Sequence, residues 1–340
     1  MNNSLRLDEV TLMRCILAAL IVFMHSFTCY NGGWPEPIGY KDVLVYKWIS
    51  RLSFAFTLQA FVFISGYLFA FQRISLRRTG CSFIIKKIKR LILPSIIFSA
   101  LYFPLFYEYK GLINLVYNLI NGCGHMWFLP MLFWCFIGGW LCEQVRIGDG
   151  WKLSFLFLLS VFWFKSLPLQ LGRAISYMFY FYLGYVVFKH SGKIKQYLKT
   201  DIIAFFWIIF LVLFILLRPL RDSLTIDDSF SLLRKAVIIV TDNLCVVLYA
   251  TVGSLAFYLS AVYYTRKRQL KTLTVMISSC CFGIYLFQQF ILRYLYYKTP
   301  FPEKVGPYWL PWCGFTIAIF FSFSLSFFAL RTKIGRALIG

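Results

Sequence analysis

Arg14 and His25 are the pair in the amino-terminal part of the chain whose types and spacing suit chemistry. Both fall within an apolar run, about 11–30, that otherwise reads as a membrane-spanning helix. Eleven residues at 100° each bring the second side chain to within about 20° of the first, ~16 Å further along the axis. The two therefore share a helix face at different depths. Ionisable groups at membrane depth are costly unless they meet a polar cavity or a partner. A histidine titrates near neutral pH and can take a proton from a hydroxyl or carry a group as a nucleophile. An arginine offers a planar fork to a phosphate or carboxylate. A plainer reading has Arg14 snorkelling to the interface and His25 bonded to a neighbouring helix.

The elements that must hold this pair are membrane helices. The 340 residues are 60% hydrophobic, 21% aromatic and 14% charged, a balance that excludes an ordinary soluble domain. The net charge of +22 would suggest nucleic acid in a soluble chain, but here it sorts into alternate loops, so no nucleic-acid partner is expected. Ten apolar runs approach the length needed to cross a hydrocarbon core of ~30 Å: about 11–30, 49–71, 91–107, 126–142, 152–165, 173–188, 201–217, 241–262, 274–296 and 310–330. The run at 152–165 is the weakest, and Lys165 to Pro168 turns it into the next; a hairpin there that fails to cross lowers the count to eight without moving the ends.

With the amino end in the cytoplasm, twenty-one basic residues fall in inside segments and twelve outside, so both termini are expected in the cytoplasm. Trp34, Trp48, Trp127, Trp151, Tyr296, Tyr297 and Trp309 lie near proposed span ends, as an aromatic belt requires. The expected fold is all-α, a polytopic bundle of about ten spans forming one domain over residues 1–340. Most of the ten cysteines sit in apolar runs, among them Cys15, Cys135, Cys142, Cys245, Cys280 and Cys281. They read as small packing residues, and no metal site is expected. The first helix carries no cleavage pattern and is expected to stay in the protein.

Four further stretches accompany Arg14 and His25: Phe61 to Leu68 (FVFISGYL), Lys86 to Pro94 (KKIKRLILP), Gly124 to Pro130 (GHMWFLP) and Ser279 to Gln288 (SCCFGIYLFQ). In this order the set resembles the acyltransferase-3 family of integral membrane acyltransferases, and the resemblance runs from the first span to the ninth. It implies transfer of an acyl group, often acetyl from cytoplasmic acetyl-CoA, to a hydroxyl on a cell-surface carbohydrate or related acceptor at the outer face. The family's essential arginine and histidine fall on Arg14 and His25. Arg90, four residues before Pro94 as in the similar family motif, is the leading donor-binding candidate, followed by Arg73 and Arg77. The same basic loop also serves positive-inside topology and attraction to anionic lipid.

His125 and Trp127 open the fourth span from the outer side, where a ring can stack on a sugar; an interfacial anchor explains Trp127 equally well. Tyr285 and Gln288 complete the acceptor-site candidates. Many sequences in the similar family have histidine where Gln288 stands. Glutamine can donate and accept hydrogen bonds, but it carries no proton at pH 7. Ser65 and Gly66 are expected to allow close helix packing. Arg293 is a buried-charge candidate whose plain partner is a helix carbonyl or Asp242.

The expected function is therefore a membrane O-acyltransferase, using acetyl-CoA as donor substrate and a surface or lipid-linked saccharide as acceptor. Its expected place is the bacterial cytoplasmic membrane. The rival reading is a carrier or flippase for a lipid-linked saccharide, in which the basic loop and His25 bind an anionic head group without chemistry.

Overall fold

Apolar runs that leave water must satisfy their own backbone groups, which favours helices over open strands. The structure, a computed structural model, describes residues 7–76, 82–162, 167, 169–227 and 229–340. Within them every regular element is helical. In chain order these are α1 (Asp8–Ser26), a 3₁₀ turn (Thr28–Asn31), α2 (Leu44–Phe54), α3 (Thr57–Ala70), a π-helical turn (Phe71–Ser75), α4 (Ser82–Lys87) and a second π-helical turn (Ile88–Ile92). Then come α5 (Leu93–Phe106), α6 (Leu112–Asn121), a 3₁₀ turn (Gly124–Trp127), α7 (Phe128–Gln144), α8 (Asp149–Val161) and α9 (Leu171–Lys189). The remainder are α10 (Ser191–Tyr197), α11 (Thr200–Ser223), α12 (Leu232–Lys267), α13 (Thr272–Tyr297), α14 (Phe301–Val305), α15 (Leu310–Ala329) and α16 (Lys333–Ile339).

Eight helical segments are long and apolar enough to cross a membrane among the described residues. Two of the ten expected runs, 152–165 and 173–188, overlap α8 and α9, which lie outside that set. The 13 residues of α8 reach only about 20 Å at 1.5 Å per residue, short of the ~30 Å core. The expected turn from Lys165 to Pro168 lies largely outside the described residues.

The chain forms two compact units. The first comprises residues 1–57, 89–128 and 269–340. In it α1 packs against α13 and α15, and α13 also meets α5 and the Gly124–Trp127 turn. Small residues set the helix spacing: a Cβ on Gly283 would lie 2.4 Å from Ser326 Oγ on α15, and one on Gly314 2.3 Å from the Tyr296 hydroxyl. Tyr296 in turn donates to the carbonyls of Ser26 (2.9 Å) and Leu310 (3.3 Å), tying the end of α1 to α13 and α15. Asp8 and Glu9 occupy the first turn of α1, where the helix dipole favours negative charge.

The second unit comprises residues 58–88 and 129–268. Its tightest crossing joins α3 to α9: a Cβ on Gly66 would sit 1.8 Å from the Phe181 carbonyl oxygen, and one on Gly184 2.0 Å from that of Phe63. Two glycines facing opposite backbones let the helices approach to backbone contact, the role anticipated for Gly66. Asp242 of α12 pairs with Arg221 of α11 at 2.6 Å, so the carboxylate considered for Arg293 is already engaged.

Candidate active site

His25 occupies the last turn of α1 and is buried. Its Nδ1 lies 3.1 Å from Gln288 Oε1 on α13. The amide nitrogen of Gln288 is directed to the Tyr285 carbonyl at 3.5 Å, which orients the oxygen towards the ring. With Oε1 as acceptor, Nδ1 carries the proton, and Nε2 keeps its lone pair. No hydrogen-bond partner meets that Nε2 among the described residues.

Three rings surround His25. Trp34 lies parallel to it, with centroids 5.9 Å apart and planes 3° apart, while Phe54 and His125 present edges at 6.4 and 6.3 Å. Trp34 reaches this place because the chain reverses just after α1. Gly32 adopts φ +76°, a conformation that strains other residues. Next to it Gly33 N–H donates to the Asn31 side-chain oxygen at 2.9 Å and to the Thr28 carbonyl at 3.2 Å. Tyr297 then holds the returning segment by donating to the Pro35 carbonyl at 2.7 Å. A residue expected in an interfacial belt thus covers the histidine.

His125 faces an oxygen acceptor at each ring nitrogen and, as a neutral ring, donates to one of them. Gln289 Oε1 lies 2.7 Å from its Nδ1 and also accepts the His125 backbone N–H at 2.9 Å and the Tyr102 hydroxyl at 3.1 Å. The Leu286 carbonyl lies 3.1 Å from Nε2. Tyr285 donates its hydroxyl to the His125 carbonyl. This close joint depends on Gly124, at φ +53°, where a Cβ would lie 2.7 Å from Gln289 Oε1 and 2.8 Å from the Tyr102 ring.

The structure therefore brings His25, His125, Tyr285 and Gln288 together, and it adds Trp34, Tyr102 and Gln289. Trp127 is partly exposed and packs edge-on against Phe128 at 6.1 Å. The sequence offered one signal for Gln289: two adjacent amides, Gln288 and Gln289, stand in an apolar span where each needs a partner. Nothing local marks Trp34 or Tyr102, because their contacts come from other parts of the chain.

Arg14 lies eleven residues before His25 on α1 and is half-buried. Arg90 is its electrostatic neighbour. Arg90 sits in a π-helical turn, Ile88–Ile92, that leads into α5. Pro94 has no N–H to offer the Arg90 carbonyl, and a widened turn is one way a helix absorbs that loss. Two like charges held near each other repel, and neither guanidinium has an acidic or hydrogen-bonding partner among the described residues. Such a pair can receive an anion. Arg73 has a different setting: in the second unit its Nε is 2.7 Å from Glu143 Oε2, beside a polar cavity of about 360 Å³ shared with Asp149, Lys152, Tyr182 and Lys189. Arg77 lies outside the described residues. Among the described residues, no group of three or more His, Cys, Asp or Glu is arranged to hold a metal ion.

A helical membrane protein with a buried, half-free imidazole and, on the same helix, an arginine that meets a second unneutralised arginine from the turn before α5 defines the class: an integral membrane protein with an enclosed polar site. The acyltransferase-3 family model, described as an acyltransferase domain, matches residues 7–331. The chain belongs to that family and is a membrane acyltransferase. Searches among curated proteins and solved structures give no match.

Proposed function

We propose that the chain is an O-acetyltransferase of the bacterial cytoplasmic membrane, moving acetyl from acetyl-CoA to a hydroxyl of a surface or lipid-linked saccharide. The observation that supports it best is the division between the two histidines. His125 faces a carbonyl oxygen at each ring nitrogen, which leaves neither side open, whereas His25 donates through Nδ1 and keeps Nε2 open. In this reading Arg14 and Arg90 hold the phosphates of the donor at the cytoplasmic mouth, and the thioester lies at the end of its extended arm, towards His25. His25 Nε2 takes the proton of the acceptor hydroxyl as that oxygen attacks the thioester carbonyl. The new C–O bond forms, the C–S bond breaks, and the released thiolate receives the proton from His25.

His25→Ala removes the only open imidazole nitrogen of the pair. The expected outcome is loss of acetyl transfer from labelled acetyl-CoA to saccharide by protein reconstituted in lipid, with unchanged yield and thermal unfolding. Undiminished transfer by folded His25→Ala protein sinks the assignment.

A further inference from the structure

Arg293 stands one turn beyond Gln289 on α13, and its surroundings are aromatic. Its guanidinium carbon lies 5.3 Å from the Phe106 ring centroid and 5.8, 5.9 and 5.8 Å from those of Trp34, Tyr102 and Tyr297. One terminal nitrogen donates to the Tyr102 hydroxyl at 3.2 Å. The Nε–H is buried and has no hydrogen-bond partner. No carboxylate neutralises Arg293 among the described residues, and Asp242 is committed to Arg221. Ring faces recover part of the cost of an enclosed cation, but they supply neither a counter-charge nor an acceptor for Nε.

The position matters as much as the charge. His25 stacks on Trp34 with centroids 5.9 Å apart, and the Arg293 guanidinium is 5.8 Å from the same indole. Arg293 also reaches the other histidine through a chain of bonds, since Tyr102 donates to Gln289 Oε1, which accepts from His125. The unpaired cation is thus beside the imidazole that faces the reaction.

We propose that Arg293 is the receptor for an oxyanion on the acceptor, a carboxylate or a phosphate, so that the site selects acidic saccharides. The Nε–H and the adjacent terminal nitrogen form the fork that grips two oxygens at once. The aromatic walls exclude water and give the sugar ring surfaces to stack on. This inference rests on the acyl-transfer reading only for the word acceptor; the anion site stands or falls by binding.

The test uses full-length protein in lipid with no donor present. Three probes are compared by isothermal titration: methyl β-D-glucoside, methyl β-D-glucuronide and glucose 1-phosphate. Wild-type protein is expected to bind at least one acidic probe about 10- to 100-fold more tightly than the neutral one, the range that charge-assisted hydrogen bonds supply. The glucuronide and the phosphate arms tell which oxyanion is preferred. Arg293→Met is expected to bind all three at the level of the neutral probe, and Arg293→Lys to recover part of the preference. Thermal unfolding of Arg293→Met is expected at the same temperature as wild type or higher, since an unneutralised charge has been removed.

Equal binding of the three probes by wild type overturns the proposal. So does a preference that survives in Arg293→Met, or an Arg293→Met protein that unfolds far earlier, which would make the residue a structural post for Tyr102. Charge preference in a protein that never cleaves acetyl-CoA leaves the anion site standing and removes the acyl-transfer reading. Acetyl transfer without charge preference does the reverse.

Discussion

His25 Nδ1 and Gln288 Oε1 meet at 3.1 Å although the two residues are 263 positions apart. The contact sets which imidazole nitrogen carries the proton, and so which one is open to a substrate. Glutamine at this position cannot act as a second base, but it can fix the tautomer of the first. In the proposed reaction its role is to position His25.

Gln288→Leu tests that role. The substitution leaves Nδ1 without an acceptor and frees the ring to take the other tautomer or rotate. Loss of a buried hydrogen bond of this kind costs about 1–3 kcal/mol, so kcat is expected to fall about 10- to 100-fold. KM for the donor is expected to stay unchanged. Gln288→Glu keeps an acceptor oxygen and is expected to retain most of the wild-type rate. Steady-state kinetics at pH 7 that show no fall in kcat for Gln288→Leu would mean that the tautomer is set elsewhere.

Arg14 and Arg90 are expected to act on the donor and not on the acceptor. Arg14→Lys and Arg90→Lys keep the charge but lose the planar fork. Each is expected to raise KM for acetyl-CoA about tenfold, the loss of one charge-assisted hydrogen bond, with acceptor KM unmoved. Added salt should weaken donor binding in wild type more than in the double alanine variant. Unaltered donor KM in both lysine variants would make the pair structural.

The α3–α9 crossing gives a stability prediction within the second unit. Gly66→Ala puts a methyl group where the Phe181 carbonyl oxygen is 1.8 Å away, and Gly184→Ala does the same at 2.0 Å from the Phe63 carbonyl. Neither neighbour is a flexible side chain, so the helices must separate, at a cost of about 1–3 kcal/mol. Both variants should unfold at lower temperature, and the double variant should fall short of their sum because one crossing is affected twice. Gly192→Ala, with open space around the site, is the control expected to leave unfolding unchanged. Wild-type unfolding temperatures for Gly66→Ala and Gly184→Ala would refute the close approach.

Asp149, at the start of α8, supplies a pH dependence. Partial burial works against ionisation of its carboxyl, but the hydrogen bonds from Lys189 (2.5 Å) and Tyr182 (2.7 Å) and the charge of Lys152 outweigh it and hold the group below its ordinary value of 3.8. A lowered folded-state value stabilises the fold above the unfolded value and loses that contribution as pH falls through the folded one. The pair is partly exposed to solvent, so its effect is expected below about 1 kcal/mol. Asp149→Asn should therefore unfold slightly earlier than wild type at pH 6, and the gap should narrow as pH falls below 3.8. A gap that stays constant over this range would assign it to packing.

The residue order by itself determined the helical class, the membrane setting and the placement of Arg14 and His25 on one helix. Those follow from composition and from a periodicity that operates within a few turns. It also marked Ser65 and Gly66 as packing residues, because small residues in a bulky apolar span let helices approach closely. Of the ten apolar runs it marked, 152–165 and 173–188 overlap α8 and α9, which are not among the eight helical segments long and apolar enough to cross a membrane among the described residues.

Only the tertiary structure decided how the polar residues are partnered. Gln288 meets His25 Nδ1, Gln289 and Leu286 face the two ring nitrogens of His125, Glu143 takes Arg73, and Arg221 takes Asp242. Trp34 reaches His25 only after the backbone reverses at Gly32. The reason is physical. A helix follows from local propensity and local hydrogen bonds. A buried polar atom instead takes whichever partner the packing of distant helices brings within about 3 Å, and sequence spacing does not encode that distance.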